Sequence, residues 1–236
     1  MSKRSVIIGF CLTVYDYPFF KYDKEIEPVS YIRDWQESIK KNGLDCVLII
    51  DKESKELQQA YPHIQFHVIK KKPDLLNQMD ARWVYLYEYL VSHPEIEKFF
   101  IIDTGDSTVL KNPFDFIEKH KIYVGDETAI VGIEWMNYRV GLINNQRCTN
   151  YFQKIKDKQL LNCGIFGGYT QNLLPVIQDI AEILKLYNCK SDTVDMIVFN
   201  QVLYSLYEDK IVHGKPLNTE FWKWDYANQE CFFQHK

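Results

Sequence analysis

The sequence predicts an α/β fold, a mostly parallel central sheet with helices on both faces. Three observations predict it. Short apolar runs rich in β-branched residues recur at 5–14 (SVIIGFCLTV), 46–50 (CVLII), 64–69 (IQFHVI) and 98–103 (KFFIID), as strands buried on both faces do. Segments with apolar residues at helical spacing alternate with them. The resulting β-α-β-α-β order favours parallel strands under two helical layers.

The first run follows a short basic start, lacks a small-residue cleavage site and is broken by Tyr15 and Asp16. It therefore reads as a buried first strand and no signal peptide. Residues 28–42 place Val29, Ile32, Trp35 and Ile39 at helical spacing and stop at Asn42-Gly43, a helix C-terminal signal. The second strand, CVLII, ends at Asp51; a helix over roughly 53–61 leads to the third strand at 64–69. Residues 78–92 carry Ala81, Val84, Tyr85 and Tyr89 on or near one face and predict a helix, and KFFIID is the fourth strand. In the region 120–160, IYVGDE and AIVGIEW read as strands and 147–156 as a short helix. LLNCGIFGG (160–168) is glycine-rich, helices are expected over 171–187 and 192–208, and a short strand at 210–213 precedes an aromatic tail. No internal repeat, low-complexity tract or linker appears, so one domain is expected.

Composition narrows the function classes. The 236 residues are 46% apolar and 25% charged, which excludes disorder as the main state. A net charge of −4 argues against a general polyanion binder, so no nucleic-acid partner is expected. Six cysteines without a CxxC pair suggest neither a zinc site nor a disulfide framework, and reduced thiols fit a cytoplasmic setting. No stretch approaches 18 uncharged apolar residues, so no integral membrane segment is expected, with peripheral membrane contact left open. The aromatic share, 15%, suits flat, partly polar ligands or a heavily aromatic core.

The most informative segment is KFFIIDTGDSTVLKNPFDF, residues 98–116. An apolar strand running into Asp103-Thr104-Gly105-Asp106 places two carboxylates at its carboxyl end, the edge where open α/β sheets bind ligands. In extended chain the two acids stand about 10 Å apart; a turn centred on Thr104-Gly105 brings them within about 7 Å. Two hard oxygen donors then suit Mn²⁺ or Mg²⁺, with diphosphate oxygens completing the shell. The alternative is a plain Asx-type turn with both acids solvated.

These residues resemble nucleotide-sugar-dependent glycosyltransferases of the GT-A fold, which is Rossmann-like. The nearest pattern is family 8 and related enzymes with a D-x-x-D-x-x-x-x-x-x-P-F motif. Asp103, Asp106, Pro113 and Phe114 fit it. Further elements agree in order: Arg82 on the helix ahead of the acidic motif, LNCGIFGG at 161–168 for L-N-x-G-x-x-G-G, Asp195-Met196 through Asn200 for the D-Q-x-x-x-N helix, and His213-Gly214 for the C-terminal histidine. The sequence departs from the family in having D-x-x-D where many members have D-x-D, Met196 where family 8 has Gln, and no lysine-rich histidine motif.

The resemblance implies a nucleotide-binding half over about 1–117 and an acceptor and sugar half over about 118–236. It implies metal ligation by Asp106, by Asp103 (or ribose binding by Asp103) and by His213. It implies Arg82 on the diphosphate or donor sugar, Asn162 and the backbone of Cys163 and Gly164 beside that sugar, and Asp195 on donor or acceptor hydroxyls. Thr13, Asp16 and Asp51 become nucleotide-binding candidates, with Tyr15 stacking on the base. The expected activity is metal-dependent transfer of a hexose from a nucleotide sugar, a UDP-sugar ahead of a GDP-sugar, to a glycan, lipid-linked or protein acceptor in carbohydrate biosynthesis, with retention of configuration. The alternatives are a non-catalytic nucleotide or sugar binder on the same scaffold and a metal-dependent phosphohydrolase. Bland readings stand beside these: a surface ion pair of Arg82 with Asp80 or Glu88, a tight turn at 162–164, dipole chemistry for Asp195, a solvated loop at Lys70-Lys71-Lys72, and packing of the aromatic tail onto the domain.

Overall fold

The computed structural model describes residues 3–12, 28–70, 76–189, 192–220 and 230–235. The four apolar runs become β1 (Arg4–Cys11), β2 (Asp45–Ile50), β3 (Gln65–Val68) and β4 (Ile96–Ile102). The remaining strands are β5 (Ser107–Val109), β6 (Ile122–Ile130), β7 (Gln159–Tyr169), β8 (Ile211–His213) and β9 (Phe233–His235). The helices are α1 (Pro28–Tyr31), α2 (Arg33–Lys41), α3 (Lys55–Ala60), α4 (Gln78–Ser92), α5 (Glu134–Ile143), α6 (Gln146–Ile155), α7 (Thr170–Tyr187) and α8 (Asp195–Leu206).

Seven strands form one sheet in the order β3-β2-β1-β4-β7-β6-β8, and β5 and β9 form a separate two-stranded ladder. The large sheet is mostly parallel, as expected; β7 alone runs antiparallel to its neighbours β4 and β6. Alternation along the strands feeds two cores. Val6, Ile8, Phe99 and Ile101 pack with Ala81, Ile177 and Val198 of α4, α7 and α8. Ile7, Leu48 and Phe100 pack with Trp35 of α2 and Leu57 of α3. Each such side chain, fully buried, contributes about 1.5–3 kcal/mol.

Local signals account for most boundaries. Gly43, at φ 65°, continues from the end of α2, a conformation that costs glycine little. Ser54 caps α3 by accepting from Leu57 N, and Asn77 caps α4 by accepting from Asp80 N, as short polar side chains do at helix starts.

Three expectations change, while the described part of the tail packs onto the domain as one of the two readings had it. The helix over 28–42 is two pieces, separated at the fully buried Ile32. Of AIVGIEW only Ala129 and Ile130 are strand: β6 ends there, and Gly132 sits against the chain at Lys156, donating to its carbonyl at 2.7 Å. A Cβ at 132 would come within 2.9 Å of that same oxygen, so the chain turns there and α5 begins. The glycine-rich 160–168 segment is a strand interior and no tight turn. Gly167 faces Phe100, whose ring would lie 2.2 Å from a Cβ, so glycine here serves close packing between strands. The tail pairs with β5, in the register Ser107↔His235. Phe232 stacks on Phe116 at 4.6 Å and Phe233 lies 4.9 Å from Phe100. Residues 221–229 of the tail, like Lys71 and Lys72, lie outside the described residues, while Lys70 is exposed. No helix among the described residues is long and apolar enough to cross a membrane.

Candidate metal centre

The centre forms where β4 ends. Asp103 N donates to Gly164 O at 2.9 Å, extending the contact with β7 by one residue, and Thr104, Gly105 and Asp106 then turn away. Thr104 fixes the turn: buried, it donates through Oγ1 to Phe10 O of β1 at 2.8 Å. A Cβ at Gly105 would come within 2.6 Å of the Tyr31 ring, which would have to swing aside. The turn leads into β5, and the β5–β9 ladder carries His235 back to the two acids.

One ligand atom from each of Asp103, Asp106 and His235 lies within 4.8 Å of the other two. His235 Nε2 is 3.7 Å from Asp106 Oδ1. The carboxylates are partly exposed and the imidazole is buried. Burial pushes His235 down to about 4, against which the Asp103 charge pulls upward. Its ring is therefore neutral near pH 7, the form in which imidazole nitrogen binds metals. Two carboxylates and a neutral imidazole are a donor set that could hold a divalent cation.

Behind the acids lies a buried chain of alternating charge. Arg82 of α4 is 4% exposed; its Nη1 donates to Asp103 Oδ1 and its Nη2 to Asp195 Oδ2, both at 2.9 Å. Nη2 also lies 2.7 Å from Cys163 Sγ. In place of the alternative surface pair with Asp80 or Glu88, Arg82 pairs with two carboxylates beyond its own helix. Asp195 is the first residue of α8, and its Oδ1 accepts from Met196 N at 2.8 Å and Thr193 Oγ1 at 3.1 Å. Asp80, fully buried on α4, accepts from Thr193 Oγ1, Val194 N and Asp195 N at 2.9–3.0 Å. It caps α8 from outside that helix, satisfying amides that have no partner within it. Burial and the Asp195 charge push Asp80 up to about 7, opposed by these donors. Burial drives the Cys163 thiol well above its ordinary range.

Gly164 is the third wall. A Cβ there would meet Asp103 Oδ2 at 2.5 Å, His235 Cε1 at 2.8 Å and Asn162 Oδ1 at 2.9 Å. Asn162 Oδ1 accepts from Gly164 N at 2.7 Å and its Nδ2 donates to Glu127 Oε1 at 2.9 Å. Burial raises the Glu127 carboxyl above its ordinary range. Beyond the end of the β4–β7 ladder, Asn200 holds β7 through both its amide atoms, on Leu161 O and Leu161 N. Met196 Sδ accepts from Cys163 N at 3.4 Å.

The structure thus gathers Arg82, Asp103, Asp106, Asn162, Gly164 and Asp195. It does not bring in His213, which lies on β8 with Nδ1 2.9 Å from Asp126 Oδ2, outside the cluster. His235 takes that place because the β5–β9 pairing delivers it. Asp51 follows β2, partly exposed; burial, and after it the Asp51 charge, raises the Cys11 thiol to about 11. Thr13, Tyr15 and Asp16 lie outside the described residues. His235, Asp80 and Glu127 are the site residues that sequence reasoning missed. Only Asp80, at the start of a helix, carried a local signal, and that signal pointed to its own helix. The chain matches no protein-family model and no curated protein.

Proposed function

We propose that this chain is a metal-dependent glycosyltransferase on a GT-A-like scaffold, moving a hexose from a nucleotide sugar, a UDP-sugar in the first instance, to an acceptor hydroxyl with retention of configuration. The observation that carries the reading is the convergence of Asp103, Asp106 and His235 at the carboxyl edge of the sheet, backed by the buried Arg82–Asp195 pair.

Asp103, Asp106 and His235 would hold a divalent cation, which would supply Lewis-acid stabilisation of the leaving nucleoside diphosphate. The protein's own part is orientation. Arg82 holds one oxygen of Asp103, leaving the other on the side of Gly164 and His235. The absence of a side chain at Gly164 lets Asp103, His235 and Asn162 close in on the backbone of β7. Asp195, held by Arg82 and Thr193, is fixed in place beside the site. In the transfer, the acceptor oxygen bonds to the anomeric carbon as that carbon's bond to the diphosphate breaks. The bonding electrons leave with the diphosphate, which also takes the acceptor proton.

A non-catalytic nucleotide-sugar binder is the second reading, favoured by the engagement of both Arg82 amino groups with protein carboxylates. One experiment separates them. With Mn²⁺ and UDP at 100 times the dissociation constant, the protein should gain about 2.7 kcal/mol of stability. Metal-dependent release of UDP from UDP-sugars, abolished in Asp106→Ala, supports the enzyme; binding without any release supports the binder. No stabilisation by any nucleoside diphosphate sinks both.

A further inference from the structure

Between the two acids of the centre stand Thr104 and Gly105. The chain on either side of them is pinned. Asp103 is held by Gly164 O and Arg82, and β5 by its ladder with β9 and by Ser38 Oγ, which accepts from Val109 N at 3.0 Å. The span from Asp103 to Asp106 is therefore set by how these two residues turn, and glycine leaves the backbone its widest choice of conformations there.

One side chain bears on both of them. The methyl of Thr104 fills the space over Gly9, where a Cβ would meet Cγ2 at 2.5 Å. The Thr104 hydroxyl donates to Phe10 O and pairs with the side chain of Tyr31. A threonine hydroxyl has one hydrogen to give, and Phe10 O takes it, so the phenol is the donor in the second bond. The same tyrosine covers Gly105: its Cε2, Cζ and Oη would lie 2.6, 2.7 and 2.7 Å from a Cβ. Burial, and after it the Asp103 charge, pushes the Tyr31 phenol up to about 12, with Asp106 adding to the rise. Both carboxylates thus act on this ring, and it keeps its proton at neutral pH. Tyr31 is in turn held in place. It closes α1 directly before the fully buried Ile32, and Tyr61 Oη donates to Val29 O of α1 at 2.7 Å.

We infer that Tyr31 is a positioning residue of the metal centre: its ring on Gly105 and its hydroxyl on Thr104 fix the span between Asp103 and Asp106, and so set the affinity for the cation. The inference rests on the metal centre of the proposed function and adds to it a residue outside the ligand set.

Mn²⁺ titration calorimetry, with electron paramagnetic resonance of the bound ion, tests it on the full chain. Tyr31→Phe keeps the ring, loses the hydroxyl and should weaken Mn²⁺ binding several-fold. Tyr31→Ala should weaken it by about tenfold, and both variants should alter the Mn²⁺ line shape. Gly105→Ala should weaken binding in the wild type, where the ring must swing aside, and markedly less in Tyr31→Ala, where the ring is gone. Leu184→Ala, fully buried on α7 in the other core, should lose stability yet bind Mn²⁺ as the wild type does. Wild-type affinity in both Tyr31 variants, the same Gly105→Ala effect in both backgrounds, or an equal loss of affinity in Leu184→Ala overturns the inference. These outcomes leave the metal centre standing as long as the wild type binds Mn²⁺. A wild type that binds no Mn²⁺ sinks the centre itself, and the role of Tyr31 with it.

Discussion

Gly164 and Asp103 stand so close that a methyl group on the first would lie 2.5 Å from Oδ2 of the second. The same methyl would crowd His235 and Asn162, and Asp103 cannot retreat freely because Arg82 holds its other oxygen. Gly164→Ala should therefore displace the Asp103 carboxylate of the proposed metal centre. Overpacking of this kind costs about 1–3 kcal/mol. Mn²⁺ affinity, read by titration calorimetry, should fall at least about tenfold, with a modest loss of stability in urea. Unchanged Mn²⁺ affinity would show that Asp103 Oδ2 is no ligand.

The two C-terminal histidines give a second contrast. His235→Ala should weaken Mn²⁺ binding severely, because it removes the buried imidazole of the proposed metal centre. His213→Ala should leave it unchanged, since that ring faces Asp126. Electron paramagnetic resonance of bound Mn²⁺ checks both variants; the reverse pattern would restore His213 as the ligand.

Arg82 sits between two carboxylates, with its side chain and that of Asp195 both nearly inaccessible. Removing one partner of such a buried pair costs about 3–5 kcal/mol, because the other charge stays behind without compensation. Arg82→Met should lose stability of that order in urea denaturation. Pairing it with Asp195→Asn should recover part of the loss, and no recovery would mean that the two residues are not energetically coupled.

Asp80 predicts a pH dependence with a definite sign. Burial and Asp195 raise its folded-state value to about 7 from an ordinary 3.8. Between these limits the folded chain holds a proton that the unfolded chain has released, so this contribution to stability falls as pH rises. It is complete below the lower value and lost above the upper one, with a slope of at most about 1.4 kcal/mol per pH unit. Urea denaturation of the wild type and Asp80→Asn at pH 5, 6, 7 and 8 should show the variant gaining on the wild type with each step. A constant difference between them would place the Asp80 charge elsewhere.

The Asp103-to-Asp106 segment was legible in sequence because an apolar run ending in acids, with Gly105 between them, is a local pattern. So were the parallel strands β1 to β4, whose runs need no distant partner to be recognised. AIVGIEW was misread because its apolar residues fit a strand equally well, and the turn at Gly132 is imposed by Lys156, on a segment that is distant in sequence. The glycines of β7 suggested a turn because sequence shows a missing side chain but not the ring of Phe100 that fills its space.

By itself the sequence determined the layers and the edge at which the acids emerge, since periodicity and local turn chemistry act over a few residues. Only the tertiary structure decided that His235 joins the acids, that Arg82 bridges Asp103 and Asp195, and that Asp80 caps a helix more than a hundred residues away. These contacts depend on strand order and register, which are set by the packing of the whole core and leave no short-range trace in the chain.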